Sequence, residues 1–267
     1  MNTFWRYINH APAVAAWNMA VDEALLISAL DGKSPPTIRF FQWQKPSITF
    51  GYMVKVDKEL NADLCRKRDV PFIRRITGGG VVFHGCDITY SIVFPKSLAP
   101  ETSSPLSSYQ LINKIFVNAL KKTGIEASLL QDKVEHSRDV CFVEPTEYDV
   151  LYRGRKLIGN AQRRRKEWVL NHGSILFDAG YLKMADLIAN LENPVETFSK
   201  NSISLQEIQT GLTREKVINS LINQFEQDLG VKIENGVLSE NESSLAKNLA
   251  QTKYSMEKWN MERKKTN

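Results

Sequence analysis

Three consecutive glycines, Gly78-Gly79-Gly80, stand between the arginine pair Arg74-Arg75 and the β-rich run Val81-Val82-Phe83-His84. Such a segment is ill suited to a helix, because glycine is among the weakest helix formers and loses the most backbone freedom on ordering. It reads as the tip between two strands, able to take positive φ and to let a slender ligand approach the backbone with no Cβ in the way. On the glycines alone, an ordinary wide turn is the simpler account.

A second glycine-bracketed strand, Gly154-Arg155-Lys156-Leu157-Ile158-Gly159-Asn160-Ala161-Gln162, is followed by His172-Gly173-Ser174-Ile175-Leu176. Alternation in the first would turn one side chain inward among apolar neighbours, which makes Lys156 notable, although a solvent-facing strand lysine is common. Around these blocks the periodicity predicts an amphipathic helix over residues 15–30 and strands over 37–43 and 47–52, paired through Gln44-Lys45-Pro46. A helix is expected over 56–67, strands over 70–76 and 81–95, and a helix over 106–124 stopped by Gly124. Residues 147–177 read as strands, with Arg153-Gly154 as a hairpin turn and residues 163–167 as another. Helices follow over 204–209, 213–229 and 240–251, and Trp259 reads as a packing anchor.

At 267 residues and 42% hydrophobic content, the chain can bury one substantial core without disulfides. Cys65, Cys86 and Cys141 are odd in number and lack CxxC spacing, so neither a disulfide framework nor a zinc site is expected, and a reducing cytoplasm fits. No run approaches the roughly 18 apolar residues of a membrane span, so a membrane partner is not expected. The net charge of +5, partly gathered in Arg163-Arg164-Arg165-Lys166, raises nucleic acid as a partner. No zinc finger, RNP aromatic pair or GXXG loop accompanies it, and a basic face equally suits acidic proteins.

Taken together, Arg74-Arg75-x-Thr77-Gly78-Gly79-Gly80-x-Val82-x-His84, the Lys156 strand ending in Gly-x-Ala-Gln, and His172-Gly173-Ser174-Ile175-Leu176 resemble the lipoate-attachment family. That family comprises lipoate–protein ligases, octanoyltransferases and, more distantly, biotin ligases. The resemblance runs over about residues 15 to 260, from Trp17-Asn18-Met19-Ala20-Val21-Asp22-Glu23 to Tyr254-Ser255-Met256-Glu257-Lys258-Trp259-Asn260. It implies an α/β (α+β) fold of the biotin/lipoate-ligase catalytic type, a mixed, mainly antiparallel sheet flanked by helices. Residues 1–240 would form the catalytic domain, with a C-terminal helix and basic tail over 241–267.

What the resemblance implies for the site is specific. The glycine loop lines a tunnel for an octanoyl chain, so Arg74, Arg75, Thr77, Gly78, Gly79, Gly80 and His84 are expected to bind substrate, together with Gly159, Ala161 and His172. Lys156 is expected beside the acyl carbonyl, where an ammonium can stabilise developing negative charge or lower the pKa of a thiol. By itself, a lone cysteine in a mixed apolar stretch is more often a buried small hydrophobe than a nucleophile. Cys141, however, stands in Cys141-Phe142-Val143-Glu144-Pro145-Thr146-Glu147-Tyr148, which resembles the cysteine-dependent octanoyltransferases of Gram-positive type. Cys65 and Cys86 match no motif and are assigned to structure, and His10 and His136 likewise lack motif support. Asn160 departs from the serine more frequent in that subgroup, and Arg163-Arg164-Arg165 is more basic than usual.

The implied activity is octanoyl transfer from octanoyl-acyl carrier protein, through a Cys141 thioester, to a lysine of a lipoyl-domain protein such as the glycine-cleavage H protein or an E2 subunit. No cofactor or metal is expected. Under the alternative of an ATP-dependent lipoate–protein ligase, ATP and Mg would be needed, Lys156 would touch an acyl-adenylate and Cys141 would merely pack. A regulator that kept the pocket but binds acyl groups or nucleic acid without turnover is a third reading.

Overall fold

The computed structural model describes residues 4–98, 104–130, 147 and 149–262. Cys141 and His136 lie outside the described residues. The chain opens with strand β1 (Phe4–Ala13), helix α1 (Ala15–Leu30), β2 (Thr37–Trp43) and β3 (Ser47–Phe50). Two short helices, α2 (Val56–Glu59) and α3 (Ala62–Lys67), precede β4 (Phe72–Arg74), β5 (Val81–His84) and β6 (Asp87–Pro95). Helix α4 (Pro105–Lys122) leads to β7 (Ser128–Leu129), β8 (Val150–Tyr152), β9 (Arg155–Arg165) and β10 (Trp168–Leu176). After a 3-10 helix at Ala179–Leu187 come α5 (Pro194–Asn201), α6 (Leu205–Ile208), α7 (Arg214–Leu229), β11 (Lys232–Asn235), α8 (Glu240–Leu249) and α9 (Glu257–Met261).

Among the described residues the strands form two sheets, one of eight strands in the order β11-β1-β2-β6-β10-β9-β8-β7 and one of three in the order β4-β3-β5. In the large sheet β1 runs parallel to both β11 and β2, and the remaining pairs are antiparallel. The mixed, mainly antiparallel sheet flanked by helices is therefore as expected. One face carries α4 and α7 over a core holding Phe40, Tyr90, Phe116 and Phe225. The other face carries α1, which is covered in turn by α8. The small sheet has its own core with Phe50, Phe83, Tyr181 and Phe198.

Several expectations change where the chain passes between these sheets. The Gln44-Lys45-Pro46 connection does not pair its flanking strands, because β2 belongs to the large sheet and β3 to the small one. The strand expected over 81–95 divides at Gly85-Cys86 for the same reason, with Gly85 at φ 108 and its N–H bound by Asp87 Oδ1 at 3.0 Å. The helix expected over 56–67 breaks at Asn61, whose side chain caps α3 by accepting from Leu64 N. Helix α1 spans the expected residues but is not amphipathic. Sandwiched between sheet and α8, it buries Asn18, Asp22, Glu23 and Ser28 along with its apolar residues.

The Arg153-Gly154 turn forms as expected, with both residues at positive φ (49° and 80°), the geometry of a two-residue hairpin. Among the described residues, no helix is long and apolar enough to cross a membrane.

Candidate functional site

A cleft opens at the seam between the two sheets. Its lining includes Arg75, His84, Gly159, Ala161 and His172, with Met19, Phe41 and Val82 supplying apolar walls. Five of the residues singled out in the sequence thus meet in one place, drawn from the glycine-loop segment, β5, β9 and β10. Alternation along β9 turns Gly159 and Ala161 to this face, while Asn160 reaches the opposite side to bond Asn113 Oδ1 at 2.6 Å and Tyr90 Oη at 3.1 Å.

The glycine loop is stitched to the end of β3. Gly51 N–H donates to Gly80 O at 3.2 Å and Tyr52 N–H to Thr77 O at 2.8 Å. Gly79 sits at φ 82, and a Cβ on Gly51 would lie 1.8 Å from the Gly79 carbonyl oxygen. Glycine is required at Gly51 by a neighbouring backbone, which is a different demand from room for a ligand. Thr77, Gly78, Gly79 and Gly80 are held just behind the lining rather than forming it.

Arg75 fixes this loop from within. Its Nη2 donates to Gly78 O at 2.8 Å and to Gly80 O at 2.9 Å, its Nε to Thr77 Oγ1 at 3.1 Å, and its Nη1 to Thr49 Oγ1 at 3.2 Å. Thr77 Oγ1 lies 2.6 Å from His172 Nε2, and His172 Nδ1 lies 2.9 Å from Asp22 Oδ2. On the other flank Thr49 Oγ1 lies 2.8 Å from His84 Nε2, and His84 Nδ1 lies 2.8 Å from Asp87 Oδ2. Asp22 is also held by Arg39 Nη1 at 2.7 Å, and Asp87 accepts from Thr89 and Ser174, each at 2.7 Å.

The electrostatics follow from this packing. Burial pushes the Asp22 carboxyl up, but the hydrogen bond to His172 and the Arg39 guanidinium outweigh it and leave Asp22 below its usual range. Asp87 is likewise lowered, with the His84 ring, Thr89 and Ser174 overcoming burial. Burial holds His172 below the ordinary histidine value, Asp22 opposing and Arg75 adding to the shift.

Arg74 departs from its expected place in the cleft. Its guanidinium donates to backbone carbonyls, those of Tyr52 at 2.8 Å, Val54 at 2.9 Å, Trp259 at 3.0 Å, Asn260 at 3.0 Å and Gly51 at 3.4 Å. Trp259 answers with its indole N–H to Arg74 O at 2.8 Å, so the anchor expected at Trp259 fastens the C-terminal segment to the base of the glycine loop.

Lys156 lies at the start of β9, buried, outside the cleft lining, with Nζ 2.5 Å from Asp149 Oδ2. Cys65 and Cys86 are buried free thiols, Cys65 pushed by burial to about 11 and Cys86 higher still, as befits structural cysteines. Sequence reading passed over Asp22, Thr49, Asp87 and Asp149. Asp22 did leave a signal, an acid on a helix otherwise rich in apolar residues. Thr49 pairs with a partner distant in sequence, whereas Asp87 and Asp149 lie near their partners His84 and Lys156 but carry no motif to mark them.

Residues 14–226 match the family model described as the lipoyl protein ligase A/B catalytic domain. An octanoyltransferase LipM from Kyrpidia tusciae is 34% identical over 272 residues, 96% of this chain and 98% of that one. Another from Halalkalibacterium halodurans is 32% identical over 270 residues, again covering 96% of this chain and 98% of the relative. In fold, the chain is similar to a bipartite lipoate protein ligase from Thermoplasma acidophilum, with a TM-score of 0.83, 23% identity and 99% of each chain covered. The glycine-loop and β9–β10 motifs that meet at the cleft, together with this similarity over nearly the whole length, make the chain a member of the lipoyl protein ligase A/B catalytic domain family.

Proposed function

We propose that this chain is an octanoyltransferase of protein lipoylation, taking the octanoyl group from octanoyl-acyl carrier protein and delivering it to a lysine of a lipoyl-domain protein. The observation that carries this reading is the near full-length similarity to relatives named octanoyltransferase LipM. Fold alone does not choose between transfer and ligation. The cleft adds support, since Met19, Phe41, Val82 and Ala161 offer an apolar lining suited to a narrow aliphatic chain.

Two acyl transfers account for the reaction. The Cys141 thiolate attacks the carbonyl of the incoming thioester, a new C–S bond forms, and the carrier's thiolate leaves. The acceptor lysine amine then attacks the enzyme thioester, its nitrogen loses a proton, and the Cys141 thiolate is released as the amide forms. Exchange of one thioester for another is nearly isoenergetic and amide formation is downhill, so no nucleotide is required. Lys156 supplies positive charge that favours the thiolate and the developing oxyanion.

The test is intact-mass measurement after incubation with octanoyl-acyl carrier protein in the absence of ATP. A single octanoyl adduct, removed by hydroxylamine and missing from Cys141→Ser, is the expected result. Full turnover by Cys141→Ser would rule out the thioester route.

A further inference from the structure

Two buried relays, Asp22–His172–Thr77 and Asp87–His84–Thr49, converge on the one guanidinium that also grips the glycine loop. Their protons can be placed from donor and acceptor capacity alone. Asp22 accepts from Arg39, and Asp87 from Thr89 and Ser174, so both carboxylates act as acceptors and each imidazole carries its proton on Nδ1. Arg75 only donates, so the oxygens of Thr77 and Thr49 accept from it. Each oxygen has room for a second donor. Among the described residues, however, the imidazole Nε2 is the one acceptor beside either hydroxyl, so the hydroxyl proton goes to Nε2, which must be bare to receive it. An imidazolium at either site would drive a second donor at the threonine oxygen and strand the hydroxyl proton in a buried position.

We propose that Arg75 and these two relays form one positioning lock for the glycine loop, keeping His84 and His172 as neutral Nδ1–H imidazoles while Arg75 holds Gly78 and Gly80 by their carbonyls. The described His10 provides an internal contrast. Its Nδ1 accepts from Arg39 Nε at 2.8 Å, so its own proton resides on Nε2. The charged groups facing His172 are Asp22 on α1 and Arg75 beside the loop, with the His84 ring across from it and Arg39 behind Asp22. Protonation of His172 therefore inverts the hydrogen bond to Thr77, leaves the hydroxyl proton without its acceptor, and sets a second positive charge facing Arg75, which opposes the lock. That the loop's position matters for acyl binding rests on the proposed function; the proton placement does not.

Long-range ¹H–¹⁵N correlation on the full chain labelled at histidine reads each tautomer directly. With rings assigned by His10→Gln, His84→Gln and His172→Gln, the expected result near neutral pH is Nδ1–H for His84 and His172 and Nε2–H for His10. An Nε2–H tautomer or an imidazolium at His84 or His172 overturns the proposal. Hydrogen exchange of residues 77–81 tests the lock itself. Thr77→Val should exchange about fivefold faster or more, the weight of one hydrogen bond, and Thr77→Ser should restore the wild-type rate. Unchanged protection in Thr77→Val would likewise overturn it, and the wild-type spectra remain decisive should that variant fail to fold. In turnover, Thr77→Val should raise KM for the octanoyl donor far more than it lowers kcat. If wild type shows the stated tautomers and loop protection yet transfers no octanoyl group, the functional reading fails and the lock stands.

Discussion

Lys156 Nζ and Asp149 Oδ2 lie 2.5 Å apart with each side chain only about 3% exposed. A buried pair of this kind is costly to break, because removing one partner takes the opposite charge away from a group held in a poorly solvating interior, a loss of about 3 kcal/mol or more. Lys156→Ala should therefore lower Tm while also shifting the pH profile of Cys141 alkylation upward, towards or past the unperturbed thiol value of about 8.5. Burial raises the thiols of Cys65 and Cys86, so alkylation at neutral pH reports on Cys141. Lys156→Arg should not restore the profile, since a planar guanidinium places its charge differently. Superimposable profiles for wild type and Lys156→Ala would remove Lys156 from thiol activation.

A methyl group at Gly51 should damage the site more than one at Gly78. The first would collide with the Gly79 carbonyl, whereas a Cβ at Gly78 meets nothing within 4 Å. Gly51→Ala is expected to displace the loop and abolish octanoyl loading, and Gly78→Ala to fold with wild-type Tm. Gly79→Val should resemble Gly51→Ala, because a branched residue at φ 82 is strained by about 1–2 kcal/mol. Normal octanoyl loading of Gly51→Ala, read by intact mass, would contradict the close approach described above.

Arg74 makes its contribution through geometry rather than charge. Lysine at this position keeps the charge but cannot serve five carbonyls spread over two chain segments, and hydrogen bonds from charged donors are worth about 1.5–3 kcal/mol each. Arg74→Lys is expected to lower stability in denaturant titration by about 2 kcal/mol or more. Protease cleavage within the C-terminal segment around Trp259 should accelerate in parallel. A variant as stable and as protease-resistant as wild type would show that the C-terminal anchor holds without it.

Acid should weaken the fold in two stages. His172 is lowered by burial and His10, also desolvated and near Arg39, is lowered to about 4. Groups of this kind take up protons in the unfolded chain first, so stability falls as pH drops below about 6.5 and keeps falling until the folded values are passed. Asp22 and Asp87 act lower on the scale. Their contribution is present above the unfolded value of about 3.9 and is lost as pH falls through their depressed folded values. Thermal melts should show Tm declining from about pH 6.5, with a shallower slope in His172→Gln. A flat Tm between neutrality and about pH 5 would contradict the neutral, buried state of His172.

Much of this architecture is legible in local sequence. Residues 15–30 and 37–43 form the expected helix and strand because their propensity and packing agree. The turn at Arg153-Gly154 follows from its own chemistry. What sequence could not reveal is non-local. The break at Gly85-Cys86 arises because the chain changes sheets, and the demand for glycine at Gly51 comes from a carbonyl in the glycine loop. At the site, Arg75, His84, Gly159, Ala161 and His172 could be named from motifs. Asp22 and Thr49 could not, because each acts through a partner brought close by folding, and Asp87, though near His84 in sequence, also serves the distant Ser174.

The glycine loop hangs from the three-stranded sheet, whereas Gly159, Ala161 and His172 belong to the eight-stranded one. The cleft is thus a seam with one wall from each sheet, like the gap between jaws. On the proposed reading, the aliphatic tail is gripped from both sides, by Val82 on the small jaw and by Met19, Phe41 and Ala161 on the large one. Substitutions in the core behind Val82, around Phe50 and Phe83, can therefore move one wall against the other and change the width of the gap without replacing any residue that lines it.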